Sequence, residues 1–317
     1  MAARTQLSFA SFNLYNLNLP GKPIYRDTDG WSQEEYDRKI VWAAALLKTM
    51  PSRVWGFQEL WHEDALEAVF EEAGLRDDYD LLTPPDHDGQ RIVCAAAVEK
   101  GLLDSQPTWM VNFPEKLILQ STGDDPQTQK MHIDIDRFSR PALRFTIKPR
   151  REGRAISVYV AHLKSKSPSD VWREGWYRAD SDFYKRHREH LGYTISTIRR
   201  SAEASALRML IIEELKGTDR PLVVIGDLND GQLSNTLNIL TGQPRYLVTG
   251  LAREAPIPDS TPSPPWKNTE ACAMSTTPTS TKISRNRWTI FWYRRSSTTP
   301  PENESGPTRA WKSPTTT

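Results

Sequence analysis

The chain has 317 residues, 38% of them hydrophobic and 11 of them Trp, which is enough apolar material for one large domain or two small ones. A formal net charge of +1 names no partner, and two cysteines, Cys94 and Cys272, argue against a disulfide scaffold or a Cys-ligated zinc site. Met1-Ala2-Ala3-Arg4 runs straight into an apolar-alternating stretch and no run approaches membrane-spanning length, so the expectation is a soluble, cytoplasmic or otherwise intracellular protein without a transmembrane segment.

In chain order, Leu7–Asn13 is the first strand candidate. Ser32-Gln33-Glu34-Glu35 fits a capping box that opens a helix with Ile40, Ala44 and Leu47 at helical spacing. Arg53–Gln58 is a second strand, and Asp64 to Ala73 a second helix stopped by Gly74. Strands follow at Arg91–Glu99, Ala142–Lys148 and Ala155–Ala161. A long helix spans about His187 to Leu215, with Leu191, Ile195, Ile198, Ala202, Ala206 and Leu210 on one face, and Pro221–Gly226 is the last clear strand. Strands and helices interleave without the regular alternation of a doubly wound sheet, which predicts a layered α/β domain with sheet packed on sheet. From residue 254 to 317 the text changes: Ser, Thr and Pro make up 32 of 64 residues, the composition of a disordered, low-complexity tail.

Four of the strands end in polar residues suited to one chemistry. The first ends in Asn13, the second in Glu59, the one over 155–161 in His162 followed by Leu163-Lys164-Ser165-Lys166, and the last in Gly226-Asp227-Leu228-Asn229-Asp230. Oxygen ligands suit a hard cation, a carboxylate or imidazole activates water, and amide or cationic donors hold charge that builds on phosphorus. Singly, each has an ordinary alternative. Asn13 reads as a turn residue, Glu59 as a surface charge, His162 as a hydrogen-bonded structural histidine, and the Asp227–Asp230 run as an Asx-turn or helix cap. The stretch Arg144–Arg200 carries 14 Lys/Arg against 6 Asp/Glu, interleaved with Trp172, Trp176, Tyr177, Phe183, Tyr184 and Tyr193. It reads equally as a surface for an anionic substrate with stacking aromatics or as a solvated basic face with its aromatics turned into the core.

Ser11-Phe12-Asn13, Gly56-Phe57-Gln58-Glu59, Ser139-Arg140-Pro141, His162-Leu163-Lys164-Ser165 and Gly226-Asp227-Leu228-Asn229-Asp230 together resemble the successive signatures of the endonuclease/exonuclease/phosphatase (deoxyribonuclease I-like) superfamily, in the family's order. The resemblance implies a four-layer sandwich of two packed, mainly antiparallel or mixed sheets flanked by helices. The catalytic domain would span residues 7–253. It implies Mg²⁺ or Mn²⁺ and attack of an activated water on a phosphoester. By position it implies Glu59 and Asn13 as metal ligands, and His162 as the residue that hydrogen-bonds the phosphate or protonates the leaving group. Asp227 would orient the water, Asn229 would hold the transition state, and Arg140 and Lys164 would be phosphate-facing or structural.

The family ends in a further Ser-x-Asp-His-like segment whose histidine is the expected general base. None of the six histidines (His62, His87, His132, His162, His187, His190) follows Asp230. The genetic code supplies an account. Re-reading the codons of Arg287 to Arg294 from the third base of each plus the first two of the next forces Asp at the Trp288–Thr289 step, Leu at Phe291–Trp292 and Val at Trp292–Tyr293. The remaining steps permit L-D-H-I-L-V-S. The same shift permits D-V-Y-Y-T-H at Ala273–Thr279 and forces Glu at Trp266–Lys267. The expectation is therefore a frame shift beginning near Arg253, a disordered tail over 254–317, and a last strand missing from the chain. A genuine disordered tail is the alternative.

Three functions compete at this stage: a metal-dependent nuclease or related phosphodiesterase, with nucleic acid among the candidate partners; a lipid, inositol or small-molecule phosphoesterase of the same fold; and a non-catalytic binding module that has lost its terminal motif. Fold alone does not choose among substrates.

Overall fold

The computed structural model describes residues 7–241, except 26–27, 86, 125–126, 150–152, 219 and 232–233, together with 288–292. Its strands are β1 (Phe9–Leu17), β2 (Val54–Leu60), β3 (Tyr79–Leu82), β4 (Val93–Glu99), β5 (Thr108–Asn112), β6 (Gln120–Ser121), β7 (Met131–His132), β8 (Arg137–Ile147), β9 (Ile156–His162), β10 (Leu222–Asp227) and β11 (Trp288–Trp292). Its helices are α1 (Gln33–Thr49), α2 (Glu63–Glu72), α3 (Gly175–Ala179), α4 (Ser181–Tyr184), α5 (Arg188–Leu215) and α6 (Asn235–Thr241). One sheet runs β1-β2-β4-β3 and the other β11-β10-β9-β8-β5; both mix parallel and antiparallel pairs.

The period-2 alternation of the strands builds the layers. In β4, Cys94, Ala96 and Val98 meet Val158, Val160 and Ile225 of the second sheet, while Val93, Ala95 and Ala97 face the helix layer with Leu47 and Phe70. In β9 and β10, Tyr159, Ala161, Leu222 and Val224 turn outward onto Ala202, Ala206 and Leu207 of α5 and Leu240 of α6. Three apolar clusters thus separate four layers, helix–sheet–sheet–helix, as the sandwich reading predicts. The sheets meet closely at Gly56, where a Cβ would lie 2.7 Å from Ile225 Cδ1. The predicted capping box forms: Ser32 Oγ accepts from Glu35 N at 3.3 Å and Glu35 Oε2 accepts from Ser32 N at 2.9 Å.

Two expectations fail. The last strand is not missing: Trp288–Trp292 pairs in parallel with β10 as the edge of the second sheet. Its Trp-Thr-Ile-Phe-Trp sequence is aromatic and β-branched, a composition enriched in strands. The rest of the predicted tail, and most of the frame-shifted text, lies outside the described residues. The second failure is the first half of the expected buried face of α5; Ala202 and Ala206, farther along, are buried as expected. Ile195 and Ile198 are exposed, and the inward stripe runs Gly192, Ser196, Arg200, Glu203, Leu207, Ile211. Polar side chains occupy the first half of that stripe because they bind loop backbone there: Ser196 Oγ donates to Ser167 O at 2.7 Å. An apolar periodicity cannot see them.

Candidate active site

Parallel pairing puts the carboxyl ends of β1 and β2, and of β9 and β10, side by side, with Asp227 opposite His162 in register. Phe9, Ser11 and Asn13 alternate onto the face of β1 between the sheets, so the last of them reaches the far sheet. Asn13 Nδ2 donates to Glu59 Oε1 at 2.9 Å and to Asp227 Oδ2 at 3.0 Å. His162 Nε2 lies 4.0 Å from Glu59 Oε1. Asn229 closes the group, its backbone N donating to Asp227 Oδ1 at 2.9 Å and its Nδ2 to Leu163 O at 2.9 Å. Arg140 Nη1 donates to the same Leu163 carbonyl at 3.3 Å. The structure therefore brings Asn13, Glu59, His162, Asp227, Asn229 and Arg140 together, and Arg140 and Lys164 line the cleft beside them.

Backbone irregularities aim these side chains. Pairing slips between Asn13 and Leu17 in β1 and between Phe57 and Leu60 in β2. In the slipped segments Tyr15, Asn16 and Glu59 take φ of 50°, 54° and 62°. A bulge of this kind re-aims a side chain, and a left-handed non-glycine residue costs on the order of 1–3 kcal/mol that surrounding structure must offset. Around Glu59 the offset is visible: Asn16 N donates to Glu59 Oε2 at 3.0 Å, and Trp61 Nε1 fixes Asn16 through its Oδ1 at 3.1 Å. Gly226 has φ of 145°, and a Cβ there would fall 1.9 Å from Ala161 O. Only glycine lets β10 approach β9 closely enough to set Asp227 beside His162.

His162 is 3% exposed, and its Nδ1 has no hydrogen-bond partner among the described residues. Burial, then the charges of Arg140 and Lys164, hold its pKa well below the usual histidine value, so the ring is neutral near pH 7. Burial and Arg140 also lower Lys164.

The donor set fits a hard divalent cation. Glu59 accepts one hydrogen bond on each carboxylate oxygen, leaving lone pairs for a metal, and Asn13 supplies an amide beside it. Among the described residues no group of three or more His, Cys, Asp or Glu could hold a metal.

Sequence reasoning missed the layer behind the site. Glu203 of α5 is fully buried, and its two oxygens accept from Ser139 N at 2.8 Å and Lys164 N at 2.6 Å, tying together the backbone beside Arg140 and after His162. Arg200, also buried, donates to Lys164 O at 3.3 Å and Ser165 O at 3.2 Å and pairs with Asp230 at 3.3 Å. Lys166 pairs with the same carboxylate at 2.8 Å. The available signal was Arg199-Arg200 inside the basic stretch, which does not distinguish a brace from a surface charge. Of that stretch's aromatics, Trp172, Trp176, Phe183 and Tyr193 are exposed and Tyr177 is buried, so neither simple reading of the stretch holds throughout.

Burial alone would raise the Asp230 carboxyl; hydrogen bonds from Lys166, Thr236 and Gly231 N, with the Lys166 charge, pull it down to about 2. A depressed carboxylate adds stability that is present above its unfolded value of about 4 and is lost as pH falls toward 2. Asp230→Asn should therefore cost about 3 kcal/mol at pH 7, because it leaves buried Arg200 without its counter-charge. Melting curves should differ most at pH 6–7 and draw together below pH 4. A constant difference across that range would refute the pairing.

No protein-family model matches the chain, and no curated protein does. Several solved structures are similar at low identity. An endonuclease/exonuclease/phosphatase family protein from Bacteroides thetaiotaomicron shares 16% identity over 75% of this chain and 69% of that chain, at a TM-score of 0.45. A β-hairpin deletion mutant of Staphylococcus aureus beta toxin shares 13% over 75% and 74%, at 0.46. A mannosyl-6-phosphatase from Bacteroides thetaiotaomicron shares 15% over 75% and 70%, at 0.43. Among the described residues no helix is long and apolar enough to cross a membrane.

Proposed function

We propose that the chain is a divalent-metal-dependent phosphoester hydrolase of the endonuclease/exonuclease/phosphatase type, acting as a nuclease or related phosphodiesterase. One observation carries the reading: Asn13, Glu59, His162, Asp227 and Asn229, from four strands of two sheets and the turn after the last, converge at 2.9–4.0 Å beside two cations. Glu59 and Asn13 would hold Mg²⁺ or Mn²⁺, which when bound supplies charge neutralisation on the phosphoryl oxygens. Asp227 has a free lone pair on each oxygen and is the group to orient the attacking water. Neutral His162 donates an N–H to a phosphoryl oxygen or the leaving oxygen. Arg140, Lys164 and the second N–H of Asn229 add donors where negative charge grows.

A second reading, a binding module without turnover, is favoured by one fact: no histidine follows Asp230, so no neutral-pH base is evident opposite the leaving group. A screen of Mg²⁺-dependent turnover over DNA, RNA, chromogenic diesters, inositol phosphates and sphingomyelin separates the readings. Turnover of a diester that EDTA abolishes supports the hydrolase. Binding without turnover, in this chain and in a frame-restored one, supports the module.

A further inference from the structure

The cleft extends beyond the groups that the proposed hydrolysis uses. A cavity of about 320 Å³ opens from Arg140 and Lys164 toward Arg91, Arg199, Trp61 and Tyr25. It joins the site directly: Trp61 Nε1 fixes Asn16, whose backbone holds Glu59. Arg140 and Lys164 both bear on His162. Arg199, on α5, bears on Lys164, and Arg91, between Gln90 and buried Ile92, lines the same cavity. None of the four cations forms an ion pair with a described residue. The neighbouring charges Arg137, Arg144 and Arg200, by contrast, each have a carboxylate partner.

Like charges that line one cavity without a direct ion pair repel one another, and an anion that enters relieves that repulsion. One phosphoryl group engages Arg140 and Lys164. The other two, Arg91 and Arg199, line the same cavity and are available to a separate anion, and arginine's planar fork matches a phosphate with two hydrogen bonds.

We propose that Arg91 and Arg199 form a subsite for a second phosphate of the substrate, so that the preferred ligand carries a further phosphate beside the phosphoester that is hydrolysed. This rests on the phosphoester reading for the position beside His162. The second phosphate belongs to a nucleotide or to a phosphorylated polyol. Tyr25, half exposed and packed edge-on against Trp61 at 5.2 Å between ring centroids, offers a face on which a nucleobase can stack. That favours the nucleotide.

The test is equilibrium binding by titration calorimetry of the full chain without added metal, so it does not depend on turnover. Two ligand pairs are compared: thymidine 3′,5′-bisphosphate with thymidine 5′-monophosphate, and inositol 1,4-bisphosphate with inositol 1-monophosphate. The wild type should bind at least one bisphosphate about 10-fold or more tightly than its monophosphate, the size expected of charge-assisted hydrogen bonds. In R91A/R199A, and in the milder R91Q/R199Q, that ratio should fall to near one. The larger ratio identifies the nucleotide or polyol source. A wild-type ratio near one in both pairs, no binding of any ligand, or a ratio that survives both double substitutions would overturn the subsite. Tight bisphosphate binding without any metal-dependent turnover would leave the subsite standing and remove the hydrolase reading.

Discussion

Glu59→Gln is expected to weaken Mg²⁺ binding at least about 10-fold while leaving the fold intact. Loss of even an outer-shell metal partner typically costs about 10–100-fold in affinity, and Glu59 stands in the proposed inner shell. The substitution removes one charge and one of the two acceptors that meet Asn13 Nδ2 and Asn16 N. The stability loss should be no more than about 1 kcal/mol, the net worth of one hydrogen bond. Calorimetric Mg²⁺ titration and thermal melting read the two effects separately. An unchanged Mg²⁺ affinity would make Glu59 an ordinary cleft carboxylate, and a large fall in melting temperature would assign it to the fold.

Restoring one base near codon 253 is expected to raise turnover by about 10²–10⁴-fold, the usual worth of a general base. As written, the chain places Trp288–Trp292 beside β10 and carries no histidine after Asp230. The shifted reading of those codons permits Leu-Asp-His-Ile-Leu-Val, which would put an aspartate and a histidine on the strand that borders β10. The restored chain should also melt at a higher temperature, because strand-like and helix-like sequence would replace a Ser-, Thr- and Pro-rich tail that has little apolar surface to bury. Equal turnover by the two chains, with residues 254–317 of the written chain resistant to proteolysis, would show that the written tail is the working one.

The groups at strand ends were legible because a strand's end is marked twice in sequence, by the close of an apolar run and by the polar residue that follows. Asn13, Glu59, His162 and Asp227 all carry that double mark, and the structure brings them together. What sequence could not show is how they are aimed. The left-handed turns at Tyr15, Asn16 and Glu59 are not written in glycine or proline, so nothing in the text announces a bulge. The predicted ends of β1 and β2 accordingly fell four and two residues short. The brace on α5 was hidden for a related reason: Arg200 and Glu203 are charged residues on a buried face, and periodicity arguments assign charge to solvent. β3 is four residues long and β5 a half-exposed edge, too short or too polar to stand out. β11 was masked by the Ser-, Thr- and Pro-rich text on either side of it. Arg91 and Arg199, far apart in the chain, come to line one cavity only in the folded chain.

The most direct test of the central claim is hydrolysis of bis(p-nitrophenyl) phosphate by the frame-restored chain after EDTA treatment, with Mg²⁺ titrated back and His162→Ala run beside it. The account predicts release of p-nitrophenolate that saturates with Mg²⁺ and falls by about 10²–10⁴-fold in His162→Ala, the range for loss of a group that donates in the transition state. Turnover that persists in EDTA, or that is as fast without the imidazole as with it, would contradict the claim that this cleft is a metal-dependent phosphoesterase site.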